Sequence, residues 1–408
     1  MFKIRAGLVS TLLCMLLSAC GGGGEEGADG AGEASLHGTA GAVADAGATD
    51  AAVSDAAVQA ERAYTASGYP GYQVSDPRLA SFNGPGGIEL DRAGNLYVAD
   101  TWNHTIRKIA RNGVVTTLAG LPGWPGIADG QGAAARFSSL GDIAIDRFGN
   151  LFVTDGYAIR KVTPQGQVLT LAGAPKELGY ADGRGSGARF NRPQGIAVDR
   201  DGNVYVADTN NARIRKITPY GMVSTLAGGY QDYRTIIDGI GGAAGFDTPT
   251  GMAIDRHGRL YVTDVAFRGA TTPHSGSTFI RRIDTRSGAV TTLAGSYGVP
   301  VDPPAGSPET AARFNEAQGI AVDHAGNLFI ADYFNNQGRL QRLGVDGQLT
   351  TLPTPPGAFA NLHDVTVHWQ GPLLVSDHRK HTIDLLTSGL EYRVYAGQPG
   401  EPGYADTP

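Results

Sequence analysis

The chain has 408 residues, of which 41% are hydrophobic and 18% are charged, and its formal net charge at pH 7 is −6. A negative balance argues against nucleic acid or an anionic lipid surface as the main partner. The two cysteines, Cys14 and Cys20, lie at the N-terminus, so the rest of the chain has no disulfide and no thiol chemistry available.

Residues 1–19 have the pattern of a lipoprotein signal peptide. Lys3 and Arg5 precede an apolar run that is too short to span a bilayer. The run ends in Leu-Ser-Ala-Cys, a cleavage pattern in which Cys20 becomes the lipid-modified first residue of the mature protein. Because Gly21 is not acidic, we expect sorting to the outer membrane of a Gram-negative bacterium. Acyl chains on Cys20 would then anchor the protein to the cell envelope without a spanning segment.

Residues 20–62 are predicted to form a disordered tether. The segment consists mostly of Gly, Ala, Asp, Glu, Ser and Thr, and it contains no Phe, Tyr or Trp. Such a composition buries too little apolar surface to offset the entropy of ordering the chain. What remains, residues 63–408, is assigned to a single domain built of repeats.

Residues 85–377 repeat one pattern about six times. The clearest copy runs from Phe190 to Gly228 and contains Gly-Ile-Ala-Val-Asp, Gly-Asn-Val-Tyr-Val-Ala-Asp, Ile-Arg-Lys-Ile and Thr-Leu-Ala-Gly in that order. Each block is rich in residues that favour strands and is bounded by Gly, Asn or Asp turns, which predicts four antiparallel strands per copy. A unit of this kind cannot bury its own hydrophobic face, so the copies must stack as an array.

Two polar positions recur in the array. The second strand is predicted to end on an aspartate, which we expect to accept backbone N–H groups of the next turn rather than to act as a catalyst. These aspartates are Asp100, Asp155, Asp208, Asp264, Asp332 and Asp377. The third strand carries Ile-Arg-Lys, whose basic residues we expect on outer faces of the units. There they would pair with the strand-end acids in solvated ion pairs that contribute little each.

These blocks resemble the NHL-repeat family, whose pattern they match from about residue 80 to residue 400. The resemblance implies an all-β fold, a six-bladed β-propeller with four antiparallel strands per blade, in which radial repetition leaves only short edges. It does not imply one activity, because the family includes protein-binding, RNA-binding and enzymatic members.

The two ends of the repeat region are expected to meet and close the ring. Residues 403–408 match the first half of a linker between units, and residues 76–82 match its second half. The ring would then close at a loop, and each blade would take all four strands from one repeat. Residues 63–71 resemble a fourth strand with its linker, and they would either compete with residues 392–397 in the last blade or add a strand beside them.

The predicted binding face is the one on which the first strands begin, because the loops after the second strands and between the blades open there. Binding residues predicted on its loops are Trp102, His104, Tyr157, Asn210, Phe267, Arg268, Tyr333, Phe334, His378 and Arg379, with Asn103 and Asn211 beside them. Residues predicted to face the central channel are Asp142, Gln194, Thr250, Gln318, His363 and Asp364.

Blade four departs most from the repeat. Asp264 and Ile280 are 16 positions apart, whereas Asp208 and Ile214 are 6 apart. The added segment, residues 265–279, is predicted to protrude as a loop on the binding face. A long loop on a rigid scaffold often carries recognition. A tolerated insertion is the alternative.

Blade six offers a second interpretation, a metal site. His363, Asp364 and His378 stand where other copies carry Gly, Gln or Thr, and two imidazoles with a carboxylate can bind a divalent ion such as zinc or calcium. The resemblance would then extend to peptidyl-hydroxyglycine lyase, an NHL-type propeller that holds zinc with channel histidines. His104 would have to supply the third imidazole. Divergence of a terminal repeat is the alternative.

Other catalytic patterns are not found in the sequence. The calcium-dependent lactonases are also six-bladed, but their Glu, two Asn and Asp cannot be assembled around Glu89, which sits in mid-strand. The chain has no HExxH, GxSxG or P-loop motif. Asp-Gly pairs at 129–130, 182–183 and 238–239 lack the alternating acids of a calcium loop and are interpreted as turns.

The sequence therefore favours a membrane-anchored, extracytoplasmic propeller that binds or scaffolds a protein or glycan partner of the cell envelope. No cofactor is expected in this interpretation, and an enzymatic role is not favoured. The alternative is a metal-dependent lyase or hydrolase centred on His363, Asp364 and His378. Ligand identity and oligomeric state are left open by the sequence.

Overall fold

A computed structural model describes residues 76–229, 235–266, 277–297, 314–334 and 337–407. Cys20, the tether and residues 63–71 lie outside the described residues, so lipidation, tether and extra strand stay predictions. Within the described ranges no helix is long and apolar enough to cross a membrane. The helices found there are single 3-10 turns: Pro77–Leu79, Thr101–Asn103, Gly132–Ala134, Gly185–Gly187, Thr209–Asn211 and Gly241–Ala243.

The structure is a six-bladed β-propeller, as predicted. Six separate antiparallel sheets follow one another along the chain, three of them with four strands and three with five. Blade one contains β1 (Pro85–Leu90), β2 (Leu96–Asp100), β3 (Thr105–Ile109) and β4 (Val115–Gly120). Blade two contains β5 (Gly130–Gln131), β6 (Leu140–Ile145), β7 (Leu151–Asp155), β8 (Ala158–Val162) and β9 (Gln167–Gly173). Blade three contains β10 (Gly183–Arg184), β11 (Pro193–Val198), β12 (Val204–Asp208), β13 (Arg213–Ile217) and β14 (Met222–Gly228).

The second half of the chain continues the series. Blade four contains β15 (Gly239–Ile240), β16 (Pro249–Ile254), β17 (Arg259–Ala266), β18 (Ser277–Asp284) and β19 (Ala289–Ala294). Blade five contains β20 (Gly319–Val322), β21 (Leu328–Phe334), β22 (Gln337–Leu343) and β23 (Leu349–Thr351). Blade six contains β24 (Leu362–Val367), β25 (Leu373–Asp377), β26 (Thr382–Leu386) and β27 (Tyr392–Ala396).

Two details of the predicted strands are corrected. Blades two, three and four have a fifth strand of two residues, which the linker from the preceding blade adds beside the outermost strand. In blades four and five the second strand does not end on its aspartate, because β17 runs on to Ala266 and β21 to Phe334. Their third strands begin correspondingly early, and the register of the hairpins is unbroken through this extension.

The hydrophobic core lies in the seams, the interfaces between neighbouring blades. Six clusters of buried side chains are present, and each combines residues of two adjacent blades. A phenylalanine just before the first strand recurs in every seam. These residues are Phe82, Phe137, Phe190, Phe246, Phe314 and Phe359. Because each blade needs both neighbours for its burial, the ring is the smallest stable unit.

The basic residues of the third strand were predicted on a solvated rim, and for the arginines this is wrong. Arg107, Arg160, Arg215 and Arg281 are fully buried. In blade two, Arg160 pairs with Asp155 at 2.7 Å and with the linker residue Asp129 at 2.8 Å, and the other three arginines make the same two kinds of ion pair. The arginines are buried because both faces of a blade are covered by neighbouring blades. Side chains that alternate along a strand therefore point into one seam or the other, and not alternately into a core and into solvent.

The strand-end aspartates do hold a turn, as predicted, but the turn common to all six blades is the one before the first strand and not the one that follows the aspartate. Asp100 accepts the N–H of Asn83 at 2.7 Å and Asp208 accepts that of Asn191 at 2.8 Å, both from the turn before the first strand. The other four aspartates accept N–H groups at the equivalent turn of their own blades. In blades one to five the same carboxylates also bind an arginine, so each of these aspartates fixes a turn and a seam together.

The ring closes as the linker pattern predicts. Ser81 donates its N–H to the carbonyl of Ala405 at 3.1 Å, and Gly403 donates to the carbonyl of Phe82 at 2.9 Å. Asp406 pairs with Arg107 at 2.6 Å, which is the role that Asp129 has for Arg160. The C-terminal linker therefore completes the seam between blades six and one.

Candidate functional site

A cavity of about 370 Å³ opens at the end of the central channel where the first strands begin. Five blades contribute to its lining, and all six residues predicted to face the channel are present. Those residues are Asp142, Gln194, Thr250, Gln318, His363 and Asp364. Tyr157 and Arg192 complete the rim. We call this cavity and its rim the channel mouth.

Glycines at the start of the first strands let neighbouring blades approach closely at the channel mouth. A Cβ on Gly251 would lie 1.9 Å from the carbonyl oxygen of Gln318 in the next blade, and one on Gly195 would lie 1.9 Å from that of Thr250. In blades two and six this glycine is replaced by Asp142 and Asp364. Those side chains are accommodated because the preceding blade has a glycine against them, Gly87 or Gly319.

The two aspartates connect blades through the backbone. Asp142 accepts the N–H of Ile196 at 3.0 Å, and Asp364 accepts the N–H of Ile88 at 2.9 Å. Each bond crosses from one first strand to the next. Asp142 and Asp364 also line a second space of about 210 Å³ deeper in the channel, together with Glu89. Three carboxyl groups therefore face one narrow passage.

The passage raises the pKa of all three carboxyl groups. Burial and the nearby Asp364 raise the pKa of Glu89 from 4.5 to about 8. Burial raises the pKa of Asp364 to about 7, and burial with the charge of Asp364 raises the pKa of Asp142 as well. Desolvation and mutual repulsion both disfavour the charged carboxylates.

We expect the stability of the protein to fall as pH rises from about 5 to about 8, because a carboxyl with a raised pKa binds more protons in the folded state than in the unfolded chain. Glu89→Gln is neutral at every pH and should give a flatter profile of melting temperature against pH. Thermal melts across this range test it. Glu401→Gln, at an exposed carboxyl, should keep the wild-type slope; an unchanged slope in Glu89→Gln would contradict the assignment.

A row of rings leads from the surface into the channel mouth. Trp102 is 51% exposed and packs edge-on against the imidazole of His378, with the ring centroids 4.4 Å apart. His378 stacks on His363 with the ring centroids 5.5 Å apart, and His363 lines the cavity. Trp102 belongs to blade one and both histidines to blade six, so the row crosses the seam where the ring closes.

Other predicted binding residues lie on the same face with different surroundings. Asn210 is exposed and its amide lies 3.4 Å from that of Asn191. Arg379 is exposed, and Tyr333 is half-buried. Asn103 and Asn211 are structural, because each donates to its strand-end aspartate and to a linker carbonyl.

Part of the prediction cannot be placed. Phe267 and Arg268 lie outside the described residues, and Phe334 is the last residue of β21. The loop predicted at residues 265–279 is corrected at both ends. Val265 and Ala266 belong to β17, and Ser277 to Phe279 belong to β18. The residues at both ends of the inserted segment therefore extend the hairpin formed by β17 and β18.

The histidines of blade six are neutral near pH 7. Burial, with the neighbouring His378, lowers the pKa of His363 to about 3, and burial lowers the pKa of His378. The Nδ1 atoms of both are buried, and neither has a hydrogen-bond partner within the described ranges. Among the residues that the structure describes, however, no group of three or more His, Cys, Asp or Glu is arranged to hold a metal ion. Asp364 is engaged by backbone N–H groups of Ile88 and Val365.

Sequence reasoning missed two residues beside this group. His381, rather than the proposed His104, is the third imidazole near His378, and its Nδ1 accepts the N–H of Gly84 at 3.0 Å. His104 ends the 3-10 turn of blade one in a left-handed conformation. Arg192 on the cavity rim also has a positive φ of 50°. Arg192 could have been singled out from the sequence, because it directly precedes the proline that begins β11.

Comparison with known proteins supports an NHL-repeat propeller. The NHL repeat model matches residues 82–109 and 190–217. The chain is 28% identical over 293 residues to NHL repeat-containing protein 2 of Bos taurus, covering 63% of this chain and 39% of that protein. It is 34% identical over 171 residues to Protein SUPPRESSOR OF QUENCHING 1, chloroplastic, of Arabidopsis thaliana, covering 38% of this chain and 16% of that protein. The chain thus spans well under half the length of these relatives.

A solved structure shares the fold at low sequence identity. An auxiliary nutrient binding protein from Bacteroides thetaiotaomicron superposes with a TM-score of 0.53 at 12% identity, covering 77% of this chain and 70% of that protein. At this identity the likeness concerns the arrangement of the blades alone.

Proposed function

We propose that the protein is a binding module that captures a protein or glycan partner at the channel mouth. The observation that carries the proposal is the cavity of about 370 Å³ to which five of the six blades contribute. A concave site built from several rigid elements and lined by a few polar groups is the usual form of a ligand site. The NHL-repeat propeller fold is consistent with a binding or scaffold role.

The chemistry of the lining supports recognition of a polar ligand. The side-chain amides of Gln194 and Gln318, which line the cavity, can each donate and accept hydrogen bonds. The exposed face of Trp102 offers a rigid apolar surface at low entropic cost, as at many interfaces. A cavity of this volume accommodates only one end of a larger partner, such as a terminal sugar or a side chain.

The proposed setting is the cell envelope, with lipid at Cys20 holding the domain to a membrane, the outer membrane of a Gram-negative bacterium. The lipobox at residues 17–20 and the basic, apolar segment before it support this setting. Metabolic labelling with a fatty-acid analogue should mark the wild type and not Cys20→Ala. Label retained in that variant would refute the anchor.

Trp102→Ala is expected to weaken partner binding by about tenfold or more, because truncation of a central aromatic contact typically costs 2 kcal/mol or above. The experiment is capture of envelope proteins and screening of glycans with the purified domain. Trp369→Ala is the matched control: Trp369 is 73% exposed and lies in the turn between β24 and β25, at the opposite face.

Two outcomes of this comparison are informative. Loss in Trp102→Ala with retention in Trp369→Ala supports the channel mouth. Equal binding by both variants, or loss in Trp369→Ala alone, would move the site elsewhere and refute the proposal.

The second candidate is a metal-dependent lyase or hydrolase using His363, Asp364 and His378 with zinc or calcium. The observation that favours it is the pair of buried, unpartnered Nδ1 atoms on neutral imidazoles beside the cavity. Neutral imidazole is the form that binds a metal. Elemental analysis of protein purified without chelator, beside a His363→Ala, His378→Ala variant, separates the candidates: near-stoichiometric metal lost in the variant would favour this one.

A further inference from the structure

Blade six reverses the charge of a position that is cationic in four other blades. The second residue of the Ile-Arg-Lys block is a buried arginine in blades one to four, namely Arg107, Arg160, Arg215 and Arg281. The equivalent residue of blade six is Asp384, which follows Ile383 in β26 and is also fully buried. The strand register is the same: Asp384 faces Val375 as Arg107 faces Val98.

In the other blades a cation always neutralises the strand-end aspartate. Four blades use the arginine just described, which donates to that aspartate and to carbonyls of the linker before the blade. Blade five has Gln341 at this position. There the positive charge comes from Arg339, which donates to Asp332 at 2.8 Å. The repeat therefore requires a positive charge at this place in each seam.

Blade six instead buries two acids against each other. Asp377 and Asp384 both have 0% exposure, and Asp377 is a cause of the raised pKa of Asp384. Neither carboxylate oxygen of Asp384 accepts a hydrogen bond with acceptable geometry in the part of the chain that the structure describes. A buried carboxylate left in this state costs several kcal/mol unless it gains a proton or a cation.

The nearest positive charge is used for another purpose. Lys380 donates its ammonium to the carbonyls of Gly357 and Ala358 in the linker before blade six. It takes over the contacts that an arginine makes with linker carbonyls elsewhere, and its effect on the pKa of Asp384 is minor. Asp377 is stabilised by backbone N–H groups of Ala360, Asn361, Arg379 and Lys380, so Asp384 is the acid that lacks a compensating group.

Oxygen donors surround the uncompensated carboxylate. Thr382 and Tyr392 lie on the same face of the sheet as Asp384, and their hydroxyl groups are close enough to lower its pKa slightly. The Thr382 hydroxyl is fully buried, and among the described residues it is the Asp384 carboxylate that lies close enough to interact with it. Carboxylate and hydroxyl oxygens without imidazole or thiolate are the donor set of a hard cation.

We propose that a calcium ion binds in this seam beside the linker carbonyls that Lys380 contacts, held by Asp384 and Asp377 with the hydroxyl oxygens of Thr382 and Tyr392. Calcium suits such a site better than magnesium, which keeps several of its waters, and better than zinc, which prefers nitrogen and sulfur. The ion would act structurally, because it replaces the charge that closes the other seams. The site shares no ligand with the metal site considered at His363, Asp364 and His378.

The test is titration of the purified protein with Tb³⁺, a calcium substitute whose luminescence is sensitised by a nearby tyrosine. We expect saturable one-to-one luminescence that Ca²⁺ displaces, and a rise in melting temperature when Ca²⁺ is added to protein stripped with chelator. Asp384→Asn should weaken binding by at least about tenfold, as expected when a charged ligand is lost. Tyr392→Phe should dim the signal.

Asp384→Arg provides the decisive variant, because it restores the residue of the other blades. It should fold, bind no Tb³⁺ and melt at a temperature that Ca²⁺ no longer changes. His363→Ala, His378→Ala should retain the Tb³⁺ signal. The proposal is overturned if the wild type shows no saturable signal, or if the signal persists in Asp384→Asn or Asp384→Arg.

Discussion

Arg160→Met is expected to lower the free energy of unfolding by about 3–5 kcal/mol, the usual cost of leaving a buried charge without its partner. Arg160 is fully buried, with Asp155 at 2.7 Å on one side and Asp129 at 2.8 Å on the other. Its guanidinium also donates to the carbonyls of Arg136 and Ala128 and lies over the ring of Phe137. Methionine keeps an unbranched apolar stem and removes the charge and the donors. Urea denaturation at pH 7 measures the effect.

Arg147→Met is the matched control, because Arg147 is exposed in the turn between β6 and β7. It should change stability by less than about 0.5 kcal/mol. Adding Asp155→Asn to Arg160→Met should cost less than the sum of the single changes, since the uncompensated charge is then gone. A loss below 1 kcal/mol in Arg160→Met would show that the seam does not depend on its ion pairs.

Gly251→Ala should destabilise the ring by about 3 kcal/mol or prevent folding, at or above the usual upper range for overpacking. The added Cβ would lie 1.9 Å from the backbone carbonyl oxygen of Gln318 in the next blade. No side chain can rotate away to relieve this contact, so two first strands would have to separate. The channel mouth would widen at the same place.

Gly242→Ala tests whether the effect is steric. Gly242 is exposed in the 3-10 turn before blade four, and a Cβ there meets nothing within 4 Å. Alanine at this position should be neutral or slightly stabilising. Thermal and urea denaturation of both variants measure the contrast, and equal stability of the two would contradict the close approach of blades four and five.

The blade architecture was predictable because the repeat records it directly. Six copies of a strand pattern with fixed turn residues leave little choice of fold, and the matching halves of one linker at residues 76–82 and 403–408 indicate how the ring closes. The extended hairpins of blades four and five were not predictable in this way. Their added residues follow Asp264 and Asp332 without a repeat to align them.

The buried arginines show where alternation of side chains misleads. In an open sheet, Ile106 and Arg107 would face a core and the solvent respectively, but a propeller blade has a neighbour on each face. The sequence nevertheless contained the partner of the arginine, since Asp-Gly pairs recur at a fixed place in the linkers. Asp129, Asp182 and Asp238 were interpreted as turn residues, and their bonds to the arginines depend on contacts between blades.

The channel residues were found because one position in each first strand can be followed through all copies. Departures from glycine at Asp142 and Asp364 mark the places where the channel becomes acidic. Glu89 was placed in mid-strand and given no role, whereas it faces the same passage. His381 was overlooked because it lies in a turn, and only the closure of the ring brings it near Trp102, with the ring centroids 5.9 Å apart.

Blade six combines several departures from the repeat. It supplies His363 and Asp364 to the cavity, His378 to the row of rings and Asp384 to the seam. A regular propeller needs none of these residues for its fold. The concentration of unusual polar groups in one blade, beside the point of ring closure, is the reason that binding is placed there rather than at the opposite face.

Hydroxyl-radical footprinting of the protein, with and without an envelope extract, tests the proposed binding face most directly. Trp102 and Tyr157 report on the channel mouth, while Trp369 and Tyr220, which are 73% and 83% exposed, report on turns at the other end of the blades. We predict protection of Trp102 and Tyr157 with unchanged oxidation of Trp369 and Tyr220. Protection of Trp369 or Tyr220 alone, or of none of the four, would contradict a binding site at the channel mouth.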